Sequence, residues 1–366
     1  MGSDEKPFYL AIARVRGIGP VRVRKLREHF LSLEYAWQAD SSSLLAAGLD
    51  EKTIAALVEA RKSVDPENEL TMLERSGAHA ITWDEPVYPR LLREIDNPPC
   101  VLWIKGTLVE SDALAVAIVG TRGPTVYGRD VAVQFATQLA TNSITVVSGL
   151  ARGVDGTAHE AALKAGGRTI AVLGSGVDII YPPEHNKLAA QIAASGAVIS
   201  DYPLGTKPDA MNFPPRNRII SGLSLGVVVV EADERSGALI TTNYAAEQGR
   251  DVFAVPGNIF AKTSRGTNRL IQQGAKLVTK LDDVLEELNL GMVASQQQAQ
   301  RELPHSDNQA ERAILTTLAH EPVQTDEIIQ VLGLPAGDVT TALTMLELKG
   351  QIRQATGTSY VLNRRP

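Results

Sequence analysis

Glycine and arginine stand close together in two short segments in the middle of the chain. Gly120 precedes Arg122 in VGTRGPTVYG, and Gly149 precedes Arg152 in SGLARGVDG. Glycine lets the backbone approach a ligand closely, and the N-terminus of a following helix directs unpaired N–H groups at an anion. The guanidinium adds a permanent positive charge whose planar fork matches a phosphate. The segments predict phosphate binding; alternatively, their glycines only separate strands from helices.

Two further segments place polar and basic residues at the start of a predicted helix. YPPEHNKLAA has Asn186 and Lys187 there, and FPPRNRIISG has Arg216, Asn217 and Arg218. Helical residues two positions apart point to different sides. We therefore expect one of the two arginines to contact phosphate and the other to brace the loops internally. Lys187 can reach an anion from this position, but it is alternatively an ordinary solvated lysine.

Acid–base chemistry has few candidates. Asp155 and His159 share one helical face, and Glu231 and Asp233 follow a predicted strand. Neither pair has an evident third partner, so helix capping and loop bracing are favoured over catalysis. The P-loop pattern GxxxxGK[ST] is absent, and the 6 histidines and 1 cysteine form no metal-binding pattern. We predict a protein without catalytic activity, metal or cofactor.

Short β-rich runs that alternate with helical stretches position these segments. The runs begin at positions 115, 144, 169, 197, 225 and 251. Nearly continuous Val, Ile and Ala runs are typical of parallel strands buried on both faces, and the stretches between them are long enough for crossover helices. The pattern predicts an α/β fold with a doubly wound, mainly parallel sheet over residues 66–290. Such sheets bind ligands at the carboxyl ends of their strands.

Composition limits the class of protein further. A chain of 366 residues with 44% hydrophobic and 21% charged residues is expected to form two or three globular domains. Its net charge of −6 argues against a broad nucleic-acid-binding surface, so any polyanion contact has to be a focused patch. The single cysteine, the lack of a long apolar run and the N-terminal composition predict a reducing, cytoplasmic location.

Taken together, the segments resemble the DNA-processing protein A family (DprA, also called Smf). The resemblance runs in order from about Tyr88 to Asp283. It rests on YPRLLREIDNPPCVLWIKG, VGTRGPTVYG, SGLARGVDGTAHEAAL, LGSGVDIIYPPEHNKL, SDYPLGTKPDAMNFPPRNRIISGLS, VVVVEADERSGALITT, VFAVPG and RGTNRLIQQGA. One departure is the first turn, which is GTR where many relatives have GSR. Thr121 keeps the hydroxyl, so the departure changes little.

The resemblance implies an extended Rossmann-like domain that binds single-stranded DNA, usually as a dimer. The family protects incoming strands during natural transformation and helps to load the RecA recombinase, and it implies no enzymatic activity here. Arg122 and Lys187 match the family's basic DNA-contacting positions. The other residues expected to contact DNA are Gly120, Thr121, Gly149, Arg152, Asn186, Arg216, Asn217 and Arg218. The dimer contact is expected at about residues 258–273.

Base stacking and an enzymatic alternative complete the predictions for this domain. A single strand needs surfaces on which its bases can stack, and Tyr127, Tyr181 and Phe213 lie near the relevant loops. Each of them is alternatively a packing residue. The competing function is that of an enzyme related to nucleotide phosphoribohydrolases. Those enzymes need a PGGxGT-type loop followed by a catalytic Glu, and EADERSGALITT lacks that loop.

The N-terminal flank, residues 1–65, is predicted to be a helical domain. VRGIGPVRVRKLREHF resembles a helix-hairpin-helix motif, with a tight turn followed by a basic helix. Arg22, Arg24 and Lys25 are therefore expected to make auxiliary DNA contacts. The alternative is a sterile-alpha-motif-like bundle that serves packing or protein contacts.

The C-terminal flank consists of a polar linker, residues 291–308, and a predicted winged-helix domain, residues 309–366. The third helix of this domain carries more acidic than basic residues, which suits the major groove poorly. We therefore favour a contact with protein, or with DNA through Arg353 in the wing, over the reading of duplex DNA.

Overall fold

The computed structural model describes residues 5–290, 309–318, 323–349, 351–355 and 359–362. Their contacts divide the chain into two compact units, Met1–Leu288 and Asn289–Pro366. The predicted linker, residues 291–308, lies outside the described residues.

The first unit is built on a nine-stranded sheet with the order β1-β2-β6-β5-β4-β3-β7-β8-β9. The strands from β6 to β9 in this order are parallel, whereas β2 is antiparallel to β6 and β1 is antiparallel to β2. The predicted doubly wound, mainly parallel α/β sheet is therefore confirmed. The strands are β1 (His79–Thr82), β2 (Val101–Gly106), β3 (Ala115–Val119), β4 (Thr145–Ser148), β5 (Thr169–Leu173), β6 (Ala197–Ser200), β7 (Gly226–Val229), β8 (Asp251–Ala254) and β9 (Lys276–Leu277).

Fourteen helices accompany this sheet in the described part of the first unit. They are α1 (Lys6–Ala13), α2 (Pro20–His29), α3 (Leu33–Gln38), α4 (Ser41–Ala46), α5 (Glu51–Ala60), α6 (Pro66–Arg75), α7 (Arg90–Arg93), α8 (Val126–Thr141), α9 (Val154–Lys164), α10 (Asn186–Ser195), α11 (Phe213–Gly222), α12 (Ala238–Glu247), α13 (Arg265–Gln272) and α14 (Leu281–Glu287). Short 3-10 turns occur at Glu110–Ala113, Pro183–His185 and Lys262–Ser264.

Helices cover both faces of the central strands, which is why those strands are apolar throughout. Every residue of β3 to β7 is buried. In β5, Ile170 and Val172 belong to one core with Ile219 of α11, and Ala171 and Leu173 belong to another core with side chains of α10. Because successive strand residues point to opposite faces, α10 and α11 lie on opposite sides of the sheet.

The order of the strands creates a switch point between β3 and β7. From β3 the chain proceeds through β4 and β5 to β6 in one direction, and it then returns to place β7 on the other side of β3. The loops after β3 and β7 therefore leave the sheet towards different faces, which opens a crevice at the carboxyl ends of the two strands.

The helices α1 to α5 confirm that the N-terminal region is helical, and they pack against the edge of the sheet. Leu10, Leu26 and Leu57 share one hydrophobic core with Trp103 of β2 and with Leu204 in the loop after β6. Because they share this core with the sheet, the helices and the sheet form one compact unit.

The second unit has the arrangement of a winged helix, as predicted. Ile314, Ile328 and Leu343, one from each of its helices, meet in a single core. Its elements are α15 (Gln309–Thr317), β10 (Val323–Gln324), α16 (Thr325–Leu332), α17 (Ala336–Leu348), β11 (Ile352–Gln354) and β12 (Ser359–Leu362). The strands form a sheet with the order β10-β12-β11.

No single helix among the described residues has the length and apolar composition to cross a membrane. The pair α16 and α17 meets those two criteria only when taken together, across a bend of 119°.

Candidate nucleic-acid interface

A cleft of about 560 Å³ lies at the switch point, above the carboxyl ends of the central strands. We call it the switch-point cleft. The loop after β3, the loop after β5 and the N-termini of α11 and α12 border it. The residues that line it include Gly120, Arg122, Asp155, Tyr181, Phe213, Arg216, Asn217 and Ser236.

Arg122 and Lys187 are exposed cations at the carboxyl edge of the sheet, and Arg122 borders this cleft. Arg122 lines the cleft from the loop after β3, and Lys187 occupies the second position of α10, which follows the loop after β5. In the described part of the chain, no carboxylate lies within ion-pairing distance of either residue. Both charges are therefore available to a phosphate group from solution.

Phe213 is the centre of a small aromatic and cationic cluster. Its ring centroid is 5.8 Å from the Cζ atoms of Arg122 and of Arg216, and 5.8 Å from the ring of Tyr181 at a tilt of 39°. Tyr181 is 36% exposed, so one aromatic surface remains open to solvent. The Tyr127 hydroxyl instead donates to the carbonyl oxygen of Pro256 at 2.9 Å, and this ring does not line the cleft.

Arg216 is buried below the cluster and holds several loops together. It is 4% exposed, and its Nη1 donates to the carbonyl oxygen of Gly149 at 2.8 Å and to that of Val172. A Cβ atom on Gly149 would lie 2.7 Å from Arg216 Nη2 and 2.8 Å from Asp155 Oδ2, so the two charged groups flank this glycine. Burial lowers the pKa of Arg216 to about 10, and the Asp155 charge opposes that shift. Arg216 is therefore still charged at neutral pH.

Arg218 is also engaged inside the protein. It donates to the carbonyl oxygens of Asn97 and Pro215 and to Asp201 Oδ2 at 2.9 Å. The structure thus differs from the expectation that one arginine of this helix braces the loops while the other contacts phosphate. Both are braces, because α11 lies on the sheet with acceptors on both sides, and only Arg216 also borders the switch-point cleft.

The glycines of the predicted phosphate loops serve contacts between the loops themselves. A Cβ atom on Gly120 would lie 2.7 Å from Val154 Cγ2, and Gly149 is enclosed by Arg216 and Asp155. Gly153 has a φ of +79°, and a Cβ atom there would lie 2.5 Å from the carbonyl oxygen of Thr121. Thr121 itself donates its N–H to the Glu231 carbonyl oxygen at 2.7 Å. Small residues are thus needed because the loops after β3 and β4 touch.

Three other expected contacts already have partners on the protein. Asn186 Nδ2 donates to the Pro183 carbonyl oxygen at 2.8 Å, and Asn217 Nδ2 donates to that of Gly237 at 3.3 Å. Arg152 pairs with Glu184 at 2.5 Å, and both side chains of this pair are about half exposed. A phosphate would have to share these donors with their present acceptors.

The candidates for acid–base catalysis all accept or make internal hydrogen bonds. Asp155 Oδ2 accepts from the backbone N–H groups of Gly149 and Ala151, while His159 Nδ1 lies 2.6 Å from Thr169 Oγ1. Burial lowers the pKa of His159 to about 3, so the ring is neutral.

Glu231 is likewise a brace. Its carboxylate accepts from the N–H and the hydroxyl of Thr125, the N-cap of α8. Among the described residues, no three His, Cys, Asp or Glu side chains form a group that could hold a metal ion.

The basic residues of the N-terminal helices do not share one role. Arg22 Nη1 donates to the carbonyl oxygen of Gly17, and its Nη2 pairs with Asp50, so this residue holds the turn before α2. That engagement differs from the predicted auxiliary DNA contact. Arg24 and Lys25 are exposed and have no ion-pair partner in the described part of the chain. In the second unit, Arg353 is exposed on β11.

Two exposed cations beside the switch-point cleft were missed in the sequence. Lys207 precedes Pro208, and Arg235 precedes Ser236, and both of those neighbours line the cleft. The signal was available, because each cation lies in a polar loop directly before a helix that starts at the carboxyl edge of the sheet.

Comparison with known proteins identifies relatives of the whole chain. Residues 79–289 match the family described as DNA recombination-mediator protein A, and residues 297–358 match the DprA winged helix domain. The protein Smf of Synechocystis sp. is 37% identical over 98% of this chain and 99% of its own length.

Two solved structures share the fold. DNA processing protein A (DprA) from Streptococcus pneumoniae superimposes with a TM-score of 0.66 at 36% identity, covering 78% of this chain and 99% of that one. DNA processing protein A from Helicobacter pylori, whose structure describes a single-stranded DNA binding mode, has a TM-score of 0.53 at 31% identity and covers 58% of this chain and 95% of that one.

Proposed function

The chain belongs to the DNA recombination-mediator protein A family, and from this premise we propose that it binds single-stranded DNA without sequence preference and without catalysing a reaction. The observation that carries the proposal is the set of groups at the switch-point cleft. Arg122 lies beside the aromatic surface of Tyr181 and Phe213, and it has no ion-pair partner among the described residues. Lys187 adds a second exposed cation at the start of α10, the helix that follows the loop carrying Tyr181.

This combination suits a single strand better than a free nucleotide. Cations attract every phosphate alike, and an aromatic ring accepts any base because every base has a π-face. A duplex keeps its bases stacked inside and therefore cannot use Tyr181. The carboxylates of Asp155 and Glu231 accept internal hydrogen bonds, which does not favour a role for either as a general acid or base.

Strand preference and the lack of turnover can be tested together. We expect fluorescence anisotropy titrations to show single-stranded oligonucleotides binding at least about 10-fold more tightly than duplexes of the same length, since only the single strand can stack on aromatic rings at about 1–3 kcal/mol per base. The affinity should fall as salt rises, and the slope of log affinity against log salt concentration should be about −0.7 for each neutralised phosphate. Equal affinities for the two forms would contradict the proposal, and hydrolysis of free nucleotides in a parallel assay would favour the enzyme.

We further propose that the protein acts as a homodimer. Within the segment expected to form the dimer contact, residues 258–273, Ile259 is 74% exposed and Phe260 is 86% exposed. Two neighbouring large apolar side chains in open solvent are unfavourable unless a second surface covers them. A second copy of the chain is the occupant that the family resemblance supports.

Replacing Ile259 and Phe260 together with glutamate is expected to convert the dimer to a monomer. Each buried apolar side chain is worth about 1.5–3 kcal/mol, so the double change should weaken association by roughly 100-fold or more. Size-exclusion chromatography with light scattering measures the mass. Leu31→Glu, at a side chain that is 95% exposed elsewhere, is the matched control and should leave the mass unchanged. A dimer that survives the double change places the contact elsewhere.

The family's role supports a further step, the delivery of the bound strand to the RecA recombinase during natural transformation or recombination. A binder without turnover, held to DNA by a few salt-sensitive contacts, can be displaced by a polymerising recombinase. The role can be tested by following RecA filament formation on single strands with and without this protein bound to the strands beforehand.

A further inference from the structure

A second cleft of about 480 Å³ lies between the N-terminal helices and the edge of the sheet. We call it the hairpin cleft. The turn between α1 and α2 forms one wall, and the loops before β2 and after β6 form the other. The residues that matter for its chemistry are Arg16, Gly17, Gly19, Cys100, Asp201 and Tyr202.

The turn between α1 and α2 presents unpaired donors and cations. Gly17 has a φ of +94°, and no described backbone oxygen accepts from the N–H groups of Gly17 and Gly19. Arg16 is exposed on the wall of the cleft and has no ion-pair partner among the described residues. Arg24 is exposed on α2 and directly follows Val23, which lines the cleft. This wall suits a phosphate group.

The opposite wall suits a nucleobase. Tyr202, Pro99 and Pro203 give it flat apolar surfaces, and Asp201 adds a polar group. Asp201 Oδ2 accepts from Arg218, but its buried Oδ1 has no partner in the described part of the chain. Arg218 thus fixes the Asp201 carboxylate at the wall of the cleft, and a carboxylate there is a suitable acceptor for the N–H groups of a base.

The hairpin cleft and the switch-point cleft are bordered by the same segment of the chain. The segment between β6 and α11 lines the hairpin cleft at Asp201–Pro203 and the switch-point cleft at Pro208 and Phe213. The parallel strand β6 ends at the same edge of the sheet as β3 and β5. Neighbouring strands are about 4.8 Å apart, so the two clefts are separated by only a few nucleotides of an extended strand.

We propose that the hairpin cleft holds a nucleotide of the same DNA strand that occupies the switch-point cleft, with its phosphate at the turn between α1 and α2. The proposal rests on the proposed function, and it lengthens the binding site. It keeps the contact expected from Arg24 and adds one from Arg16, whereas Arg22 is engaged with the Gly17 carbonyl oxygen and Asp50.

The test compares strand lengths. Wild type and the variant Arg16→Glu/Arg24→Glu are titrated by fluorescence anisotropy with labelled oligo(dT) of about 4 to 24 nucleotides, a range that spans the site sizes of known single-strand binders. The shortest strands should bind both proteins equally. Longer strands should bind wild type roughly 10-fold more tightly than the variant. The slope of log affinity against log salt concentration should be smaller for the variant by about 0.7, the value for one phosphate.

A matched control separates local contact from net charge. Lys52→Glu/Arg75→Glu reverses two exposed cations of the same region that lie outside the hairpin cleft, and it should behave like wild type at every length. Thermal melting confirms that the variants are folded.

Three results would overturn the proposal. If wild type and the variant bind strands of every length equally, Arg16 and Arg24 do not contact the DNA. If the control loses as much affinity as the variant, the effect comes from net charge and not from a local contact. If free dTMP binds wild type but not the variant while strand affinity is unchanged, the cleft serves a free nucleotide instead. If wild type binds no oligonucleotide of any length, the proposed function itself fails, and that outcome is distinct from the first three.

Discussion

Arg122→Glu combined with Lys187→Glu is expected to reduce the affinity for single-stranded DNA by at least about 100-fold, since a charge-assisted hydrogen bond contributes about 1.5–3 kcal/mol and two of them are lost. Reversal of the charge adds repulsion between each carboxylate and the phosphates. Neither side chain has an ion-pair partner among the described residues, so the fold and the dimer should not change.

The measurement is a gel retardation and anisotropy titration at low salt, where phosphate contacts are strongest. Lys52→Glu/Arg75→Glu serves again as the control, because it changes the net charge equally at exposed positions outside the cleft. Retardation like that of wild type by the Arg122 and Lys187 variant would place the DNA site elsewhere. A loss of the dimer in that variant would mean that the two residues are structural.

The second large effect is expected on stability. Arg216→Met should reduce the free energy of unfolding of the first unit by about 3–5 kcal/mol, because it removes a buried positive charge that stabilises the ionised form of the buried Asp155 carboxylate. It also removes the guanidinium that donates to the carbonyl oxygens of Gly149 and Val172. The size of this loss of stability distinguishes a structural role of Arg216 from that of an exposed cation that contacts only DNA.

Denaturant unfolding followed by tryptophan fluorescence is the suitable measurement, because all 3 tryptophans of the chain lie in the first unit. Arg129→Met, at an exposed arginine of α8, is the control and should stay within about 0.5 kcal/mol of wild type. Adding Asp155→Asn to Arg216→Met removes the uncompensated charge and should restore part of the loss. A change below about 1 kcal/mol for Arg216→Met alone would refute the role as a brace.

Much of the fold could be predicted because its signals are local. The six central strands are runs rich in Val, Ile and Ala that end in glycine or a polar turn. Five of them are buried throughout, and β8 is buried at Phe253 and Ala254. By contrast, β1 and β2 gave no such signal. They include His79, Trp103 and Lys105 instead of a continuous run of Val, Ile and Ala, and their pairing joins His79 to Ile104 across a long stretch of chain.

The sequence by itself determined which residue types meet at the carboxyl edge of the sheet, since the parallel strands deliver their following loops to one place. Glycine, arginine, lysine and aromatic residues next to those strands were enough to indicate a phosphate-rich ligand. The positions of Arg122 and Lys187 followed from the same local pattern.

Only the tertiary structure decided what each group does there. Arg216 and Arg22 have the same chemistry as Arg122, but their acceptors, the carbonyl oxygens of Gly149 and Gly17, are provided by the folded loops. The glycines that suggested a ligand are needed because neighbouring loops touch. A guanidinium binds whichever acceptor is nearest and least solvated, and that depends on the approach of segments that are remote in the chain, which no local pattern contains.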